Sequence, residues 1–227
     1  MDIAPLAYPT LVYIHLLLLF VLWLGADVGV FLLGQHFRKR HTYALEQRLV
    51  LLKLLVIVDM TPRTAWALMV PVSLSVAKIG GWWDVPDLLV IAAYVFAALW
   101  LALVWDAHYH DQTPRAACNR RLEFWLKLLP TGFYLWLGAS SLLTGGPIMQ
   151  PWLAWKALLF GLVFAAAIMI DVAFKPVGPL LVRLVRDGSS DETELPLLRV
   201  MNNTRYWVWC VYALLVVTSW LGVVKPG

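Results

Sequence analysis

Long apolar stretches separated by short polar segments dominate the pattern of this chain. A helix needs about 20 apolar residues to cross the hydrocarbon core of a bilayer. Six stretches meet that requirement: Tyr8–Leu33, Leu49–Val76, Leu88–Ala107, Phe124–Leu143, Trp152–Phe174 and Tyr206–Val224. The pattern therefore predicts an all-α polytopic membrane bundle with six transmembrane helices, in a single domain that covers residues 1–227.

The connections between these stretches alternate in charge. Three of them are rich in Arg and Lys, namely HFRKRHTYALEQR, HYHDQTPRAACNRR and KPVGPLLVRLVRDGSSDETELPLLR, whereas KIGGWWDVPD and TGGPIMQP together carry one Lys. An excess of basic residues marks cytoplasmic loops. The alternation predicts an N-out/C-out topology, and we expect the protein in the inner (cytoplasmic) membrane of a bacterium.

Composition agrees with this prediction and excludes other classes. The chain is 61% hydrophobic and 14% charged, whereas a soluble domain is about half apolar and a quarter charged. The net charge of +4 comes from loops on one side, so it does not indicate nucleic-acid binding. Cys118 and Cys210 imply no disulfide framework. The first apolar stretch lacks a basic leader and is long, which predicts a retained helix rather than a cleaved signal.

The second apolar stretch differs from the others because it contains Lys53, Asp59, Arg63 and the two prolines Pro62 and Pro71. Each proline removes a helical hydrogen bond, and broken helices at membrane depth are tolerated where protein surrounds them. We therefore expect a kinked helix packed inside the bundle.

Polar groups recur in the cytoplasmic half of every predicted helix, and intramembrane ionisable residues are functional candidates by default. We predict catalytic roles for Asp27, Asp59, Arg63 and Asn203. Carboxylates with imidazoles suit iron, copper, manganese or zinc. The predicted metal ligands are Asp27, Asp59, Asp106, His108, His110 and Asp171, with iron favoured.

Local pairing is the simpler interpretation of these charges. Four ionisable pairs have i,i+4 spacing, which lets them neutralise each other on one helix: Asp59 with Arg63, Asp106 with His110, Glu123 with Lys127, and Asp171 with Lys175. Asp27 has no such neighbour, so its partner must come from another helix. His108 and His110 would point to nearly opposite helix faces, so both can bind one metal only where the helix has frayed.

Several short motifs resemble the HemJ-type protoporphyrinogen oxidases and their relatives among the CopD-like membrane proteins. The motifs are IHLLLLFVLWLG in the first helix, MTP in the second, WLAWKALL, and LRVMNN with the final VVKPG. On this resemblance residues 1–77 and 152–227 form a HemJ-like four-helix core, and residues 78–151 form an inserted helical pair. The resemblance implies haem-associated oxidoreductase activity, with His15 and Lys156 as the cofactor-binding residues.

The sequence departs from that family at two places. Asp171 stands where the HemJ type has a His, and Asn203 or Thr204 stands where it has an acid. A different site, lined by Asp27, Asp59, Asp171 and the new His108, therefore stays open beside the porphyrinogen site.

Three functions follow as hypotheses. The first is a haem- or metal-dependent oxidoreductase that acts on an apolar or lipid-soluble substrate, with an electron-transfer partner or a second copy of the chain. The second is a CopD-like transporter of a metal ion or proton, in which Asp27, Asp59 and Arg63 form a relay. The third is a non-catalytic assembly subunit, whose interhelical polar contacts contribute about 0.6 to 2 kcal/mol each.

Overall fold

A computed structural model describes residues 4–226, and within that range nearly every residue is helical and no strand occurs. The elements are α1 (Ala4–Leu16), a π-helical segment (Leu17–Gly25), α2 (Ala26–Phe37), α3 (Leu45–Ile79), α4 (Asp87–Tyr109), α5 (Pro114–Thr144), α6 (Pro151–Phe174), α7 (Val177–Asp187) and α8 (Asp191–Val224). The predicted all-α class is confirmed.

Among residues 4–226, four helical stretches are long and apolar enough to cross a bilayer: Leu6–Phe37, Asp87–Tyr109, Pro151–Asp187 and Asp191–Val224. Their outward surfaces carry large apolar side chains. On α4, for example, Leu88, Ile91, Val95 and Leu99 are exposed while Ala93, Ala97 and Trp100 are buried. Apolar surface on this scale suits lipid rather than water, so the chain is an integral membrane protein.

The fold divides into two compact units, one up to Leu126 and one from Lys127. In the first unit α3 is the central helix, and α1, the π-helical segment, α2 and α4 all pack against it. The long helix formed by α1, the π-helical segment and α2 runs antiparallel to α3. The facing pairs are Tyr8 with Gly80, Trp23 with Trp66, Gly29 with Val58, and Gly34 with Leu55.

The π-helical segment interrupts the first long helix and ends two residues before Asp27. A Cβ atom at Gly25 would lie 3.0 Å from the carbonyl oxygen of Phe20. Glycine, which has no side chain, therefore fits at the last position of the π-helical segment. Asp27 follows in the first turn of α2. Segments of π-helix inside α-helices are frequent at functional sites, and the sequence pattern did not indicate this one.

Helix α3 stays continuous through both of its prolines. Its second half is buried on nearly all sides, with Ala65, Ala67, Met69 and Leu74 each at most 3% exposed. The prediction that this helix lies inside a bundle is confirmed for that half. The first half is different, because Leu54, Val56 and Ile57 are exposed.

In the second unit α6 and α8 pack along each other, and α7 packs on α8. The long basic connection after α6 was predicted as a loop. It instead contains α7 and the first turns of α8, which begins at Asp191 rather than at Tyr206. An apolar face explains why α7 forms a helix. Val177 and Leu184 lie seven residues apart on one face of α7, and both are buried.

Candidate functional site

Four side chains from α3, α4 and α5 meet in the first unit, and we call them the Arg63 network: Asp59, Arg63, Trp100 and Glu123. The Arg63 Nε donates a hydrogen bond of 2.6 Å to Asp59 Oδ2, and the Arg63 Nη1 lies 3.9 Å from Glu123 Oε1. The Trp100 indole Nε1 lies 3.5 Å from the same Glu123 oxygen. The Glu123 side chain is only 8% exposed, so the network reaches into the helix core.

Helical spacing accounts for half of the network. Asp59 and Arg63 are one turn apart on α3, so they form an ion pair within that helix. Glu123 comes from α5 and gives the same guanidinium a second carboxylate. The arrangement therefore gives one guanidinium two carboxylate neighbours, which come from two different helices.

Asp27 lies at the same level as this network. The Trp23–Trp66 and Gly29–Val58 contacts bracket Asp27 on the facing helix, and interpolation between them places it opposite the turn of α3 that holds Asp59 and Arg63. Asp27 is partly buried, and it takes part in a polar or electrostatic interaction. The first unit thus gathers Asp27, Asp59 and Arg63, all predicted as catalytic, at one height.

An aromatic ladder adjoins the network on the side toward the C-terminus of α3. Its members, the Trp ladder, are Trp23, Trp66 and Trp100, and all three are buried. Ring centroids are 6.0 Å apart for Trp23 and Trp66 and 5.2 Å apart for Trp66 and Trp100. Trp100 belongs to both features, because its indole N–H faces Glu123 and its ring contacts Trp66. A buried aromatic surface therefore lies directly beside ionisable groups.

The predicted cofactor residues lie in different units. His15 is in the last turn of α1, partly buried, and its Nδ1 atom is buried. The antiparallel register places it level with Ser73 of α3. A half-buried imidazole on a membrane helix has the chemistry of an axial haem ligand. Lys156 is in the second turn of α6, in the second unit, and its ammonium lies against Gly222 of α8.

The last turn of α4 and the connection to α5 contain three of the predicted metal ligands, namely Asp106, His108 and His110. The Asp106 carboxylate accepts two hydrogen bonds from Arg115 and one of 2.6 Å from Asn119. His110 Nδ1 lies 3.2 Å from Asp106 Oδ1. His108 makes a different contact, with its ring centroid 6.0 Å from that of Trp105. Asp106 is thus surrounded by cationic and amide donors.

Asp111 lies in the same connection and is paired with Arg120. Burial by itself would raise the pKa of the Asp111 carboxyl. Hydrogen bonds from Gln112 and Arg120 act in the opposite direction, and together with the charge of Arg120 they lower the pKa below its ordinary value. The connection is therefore held by charge-assisted hydrogen bonds as well as by its own turn.

Across residues 4–226, no three His, Cys, Asp or Glu side chains are grouped closely enough to hold a metal ion. In the second unit Asp171 accepts a hydrogen bond of 2.7 Å from Lys127, whose side chain is 4% exposed. Asn203 is exposed on α8.

Three residues in these contacts were not predicted as site residues. Glu123 and Lys127 were noted only as an i,i+4 pair, yet each also faces a charge on another helix. The sequence did not identify Trp100 as a site residue, because a Trp within an apolar stretch is ordinary. Their roles depend on how helices pack, which helical spacing alone does not report.

The chain matches no family model, no curated protein and no solved structure. The resemblance to the HemJ type and to CopD-like proteins consequently stays a prediction.

Proposed function

We propose that the chain is an integral membrane oxidoreductase that acts on an apolar, lipid-soluble substrate, with the Arg63 network as its proton-handling site. The observation that carries this proposal is the junction at Trp100, where the Trp ladder meets a buried carboxylate and a guanidinium. A redox reaction of a lipid-soluble molecule needs an apolar surface for binding and a nearby group that gives or takes protons. Both are adjacent here.

Each member of the network has a role in this proposal. Glu123 and Asp59 hold or accept the proton, because either carboxylate can be neutralised while the other keeps its ion pair with Arg63. Arg63 stabilises negative charge that develops on the bound substrate. The indoles of the Trp ladder bind the apolar part of the substrate and exclude water.

A cofactor is part of the proposal through the resemblance, which assigns His15 and Lys156 as its binding residues. His15 fits an axial haem ligand in residue type and burial. Haem supplies one-electron chemistry when bound. Asn203 stays a proposed catalytic residue, and the predicted metal ligands stay the second candidates for binding a cofactor. An electron-transfer partner or a second copy of the chain would complete the reaction.

The proposed arrangement in the membrane has six spans, with both termini outside and the basic connections in the cytoplasm, in a bacterial inner membrane. It requires that α3 and α5 also cross. Helix α3 has 35 residues and α5 has 31, and each exceeds 40 Å at a rise of about 1.5 Å per residue. Pairing of Asp59 with Arg63 reduces the cost of carrying charge through the bilayer.

A visible absorption spectrum with elemental analysis of the protein, purified in mild detergent, tests the proposal. We expect a Soret band or stoichiometric iron, with the band lost in His15→Ala and kept in the matched variant His36→Ala. A folded, colourless and metal-free preparation would refute the redox proposal. In a protein that does carry the cofactor, Glu123→Gln should lower turnover at least about 100-fold, while the exposed control Glu46→Gln leaves it unchanged.

Proton transport is the second candidate, favoured by the way in which Arg63 joins a partly exposed carboxylate, Asp59, to the buried Glu123. Uptake of protons into proteoliposomes, followed with an entrapped pH dye, distinguishes it. A transporter would show uptake that Asp59→Asn abolishes and would show no Soret band. Unchanged function after Asp27→Ala and Asp59→Ala would instead favour the assembly-subunit hypothesis, and absence of uptake would exclude the transporter.

A further inference from the structure

Helix α7 begins where the helix before it is already long enough to have crossed the bilayer. Helix α6 has 24 residues, which gives a length of about 36 Å at about 1.5 Å per residue. The hydrocarbon core of a bilayer is about 30 Å thick. Lys175 and Pro176 then form a turn, and α7 starts at Val177. With α6 across the core, α7 starts at the surface of the bilayer, next to the lipid headgroups.

The apolar surface of α7 is wider than the part that other helices cover. Val177 and Leu184 are buried, and α8 is the helix against which α7 packs. Val182 and Val185 are 66% and 53% exposed, and they share a different face because residues three apart are neighbours on a helix. At about 100° per residue the two faces are about 120° apart. The exposed valines therefore need an apolar neighbour other than α8.

Basic side chains occupy the third face of α7. Arg183 and Arg186 are exposed, and both lie near the carboxylate of Asp187. The Arg186 Nε donates a hydrogen bond of 2.6 Å to Asp187 Oδ1, and the Arg183 Nε lies 3.6 Å from Asp187 Oδ2. Among the residues that the structure describes, neither guanidinium makes a further ion pair. Two positive charges thus share one negative charge, so this face is basic.

A helix with protein on one face, apolar side chains on the second and basic side chains on the third fits the boundary between hydrocarbon and water. We propose that α7 lies in the headgroup layer and binds anionic phospholipid. Val182 and Val185 insert between the upper acyl chains, and Arg183 and Arg186 bind the phosphates, for which a guanidinium offers two parallel donors. The surface belongs to the second unit alone, and it requires no redox activity.

Spin labels on the full chain, reconstituted in vesicles of phosphatidylglycerol and phosphatidylcholine, test where the faces lie. The two exposed cysteines are first removed by Cys118→Ser and Cys210→Ser. One label is then attached at Val182→Cys, Val185→Cys or Arg183→Cys. We expect the labels at the two valines to collide more often with oxygen, which dissolves in hydrocarbon, than with a water-soluble nickel chelate. The label at Arg183→Cys should show the opposite order.

The matched control is Val216→Cys, because Val216 is 62% exposed on α8, which is long and apolar enough to span the membrane. Labels at Val182→Cys and Val185→Cys should resemble this control in their preference for oxygen. Preferential collision with the nickel chelate would mean that the valine face lies in water. Labels that neither reagent reaches would mean that a second copy of the chain covers the face, and either result overturns the proposal.

Lipid preference, measured by native mass spectrometry of the full chain, tests the basic face. One basic residue near a membrane surface contributes about a fivefold preference for anionic lipid. Arg186→Gln should therefore lower the ratio of phosphatidylglycerol to phosphatidylcholine binding by about fivefold. Asp187→Asn removes the competing carboxylate and should raise the ratio by a similar factor.

Equal ratios in the wild type and in both charge variants would overturn the assignment of the arginines to lipid phosphates. The substituted positions of α7 are exposed, so we expect these variants to fold. If Arg186→Gln does not fold, Asp187→Asn decides the matter, because only a basic face that binds anionic lipid gains from the loss of this carboxylate. A missing Soret band has no bearing on these results.

Discussion

Helices α5 and α6 approach each other so closely at Gly138 and Gly161 that a single methyl group should push them apart. A Cβ atom at Gly138 would lie 2.6 Å from both the Cα and the Cβ of Leu158, and a Cβ atom at Gly161 would lie 2.8 Å from the backbone nitrogen of Leu135. Small residues at such crossings allow close packing of membrane helices. We expect Gly138→Ala to destabilise the protein.

The magnitude follows from these distances. Carbon atoms pack at about 3.5 to 4.0 Å, so α5 and α6 must separate by about 1 Å at the crossing. Overpacking of this kind costs about 1 to 3 kcal/mol, and the upper half of that range applies because backbone atoms cannot rotate away. Replacing Gly by Ala inside a helix returns about 1 kcal/mol. The expected net loss in the free energy of unfolding is about 1 to 2 kcal/mol.

Reversible unfolding in mixed micelles, followed by far-ultraviolet circular dichroism, measures this loss. Gly132→Ala is the matched control on the same helix, since a Cβ atom there meets nothing within 4 Å, and it should be neutral or stabilising. The double variant Gly138→Ala with Gly161→Ala should lose less unfolding free energy than the sum of the losses in the two single variants, because one separation of α5 from α6 relieves both clashes. If Gly138→Ala proved as stable as Gly132→Ala, the proposed close approach would be wrong.

Two further predictions concern the first unit. Arg48 is 1% exposed, and its Nε donates a hydrogen bond of 2.6 Å to the Phe37 carbonyl oxygen at the end of α2. In the same unfolding assay Arg48→Met should lose about 1.5 to 3 kcal/mol, whereas the exposed control Lys53→Met should change little; equal stability of the two would contradict the assigned bond. The pKa of Asp111 is lower in the folded protein than its ordinary value of 3.8, so the charged carboxylate stabilises the fold at pH values above 3.8. This stabilisation is lost as the pH falls through the lower pKa of the folded protein. Stability measured against pH should therefore fall less steeply in acid for Asp111→Asn, and an unchanged slope would refute the assignment.

Hydropathy identified long apolar helices but did not identify where they end. The predicted final span began at Tyr206, whereas α8 begins at Asp191, and the connection before it holds the additional helix α7. A hydropathy pattern reports which residues prefer hydrocarbon, and a helix can continue past the bilayer wherever its backbone hydrogen bonds and caps favour it. The amphipathic spacing of Val177, Leu181 and Leu184 is the signal that would have identified α7.

For the charged residues, helical spacing predicted contacts within one helix but did not predict contacts between helices. The i,i+4 contacts of Asp59 with Arg63 and of Asp106 with His110 are present, as helical spacing predicted. The contact of Glu123 with Arg63 and that of Lys127 with Asp171 join different helices. Residues four apart on one helix must be neighbours, whereas residues on two helices meet only if both helices have the right rotation and register.

The sequence by itself determined that the chain is helical and lies in a membrane, because the transfer of an apolar segment into lipid is a sum of local contributions that does not depend on distant residues. The tertiary structure alone decided that Trp100 and Glu123 meet Arg63, and that Lys156 extends over Gly222. Those contacts depend on small residues and side-chain packing between helices far apart in the chain, which fix how each helix is rotated.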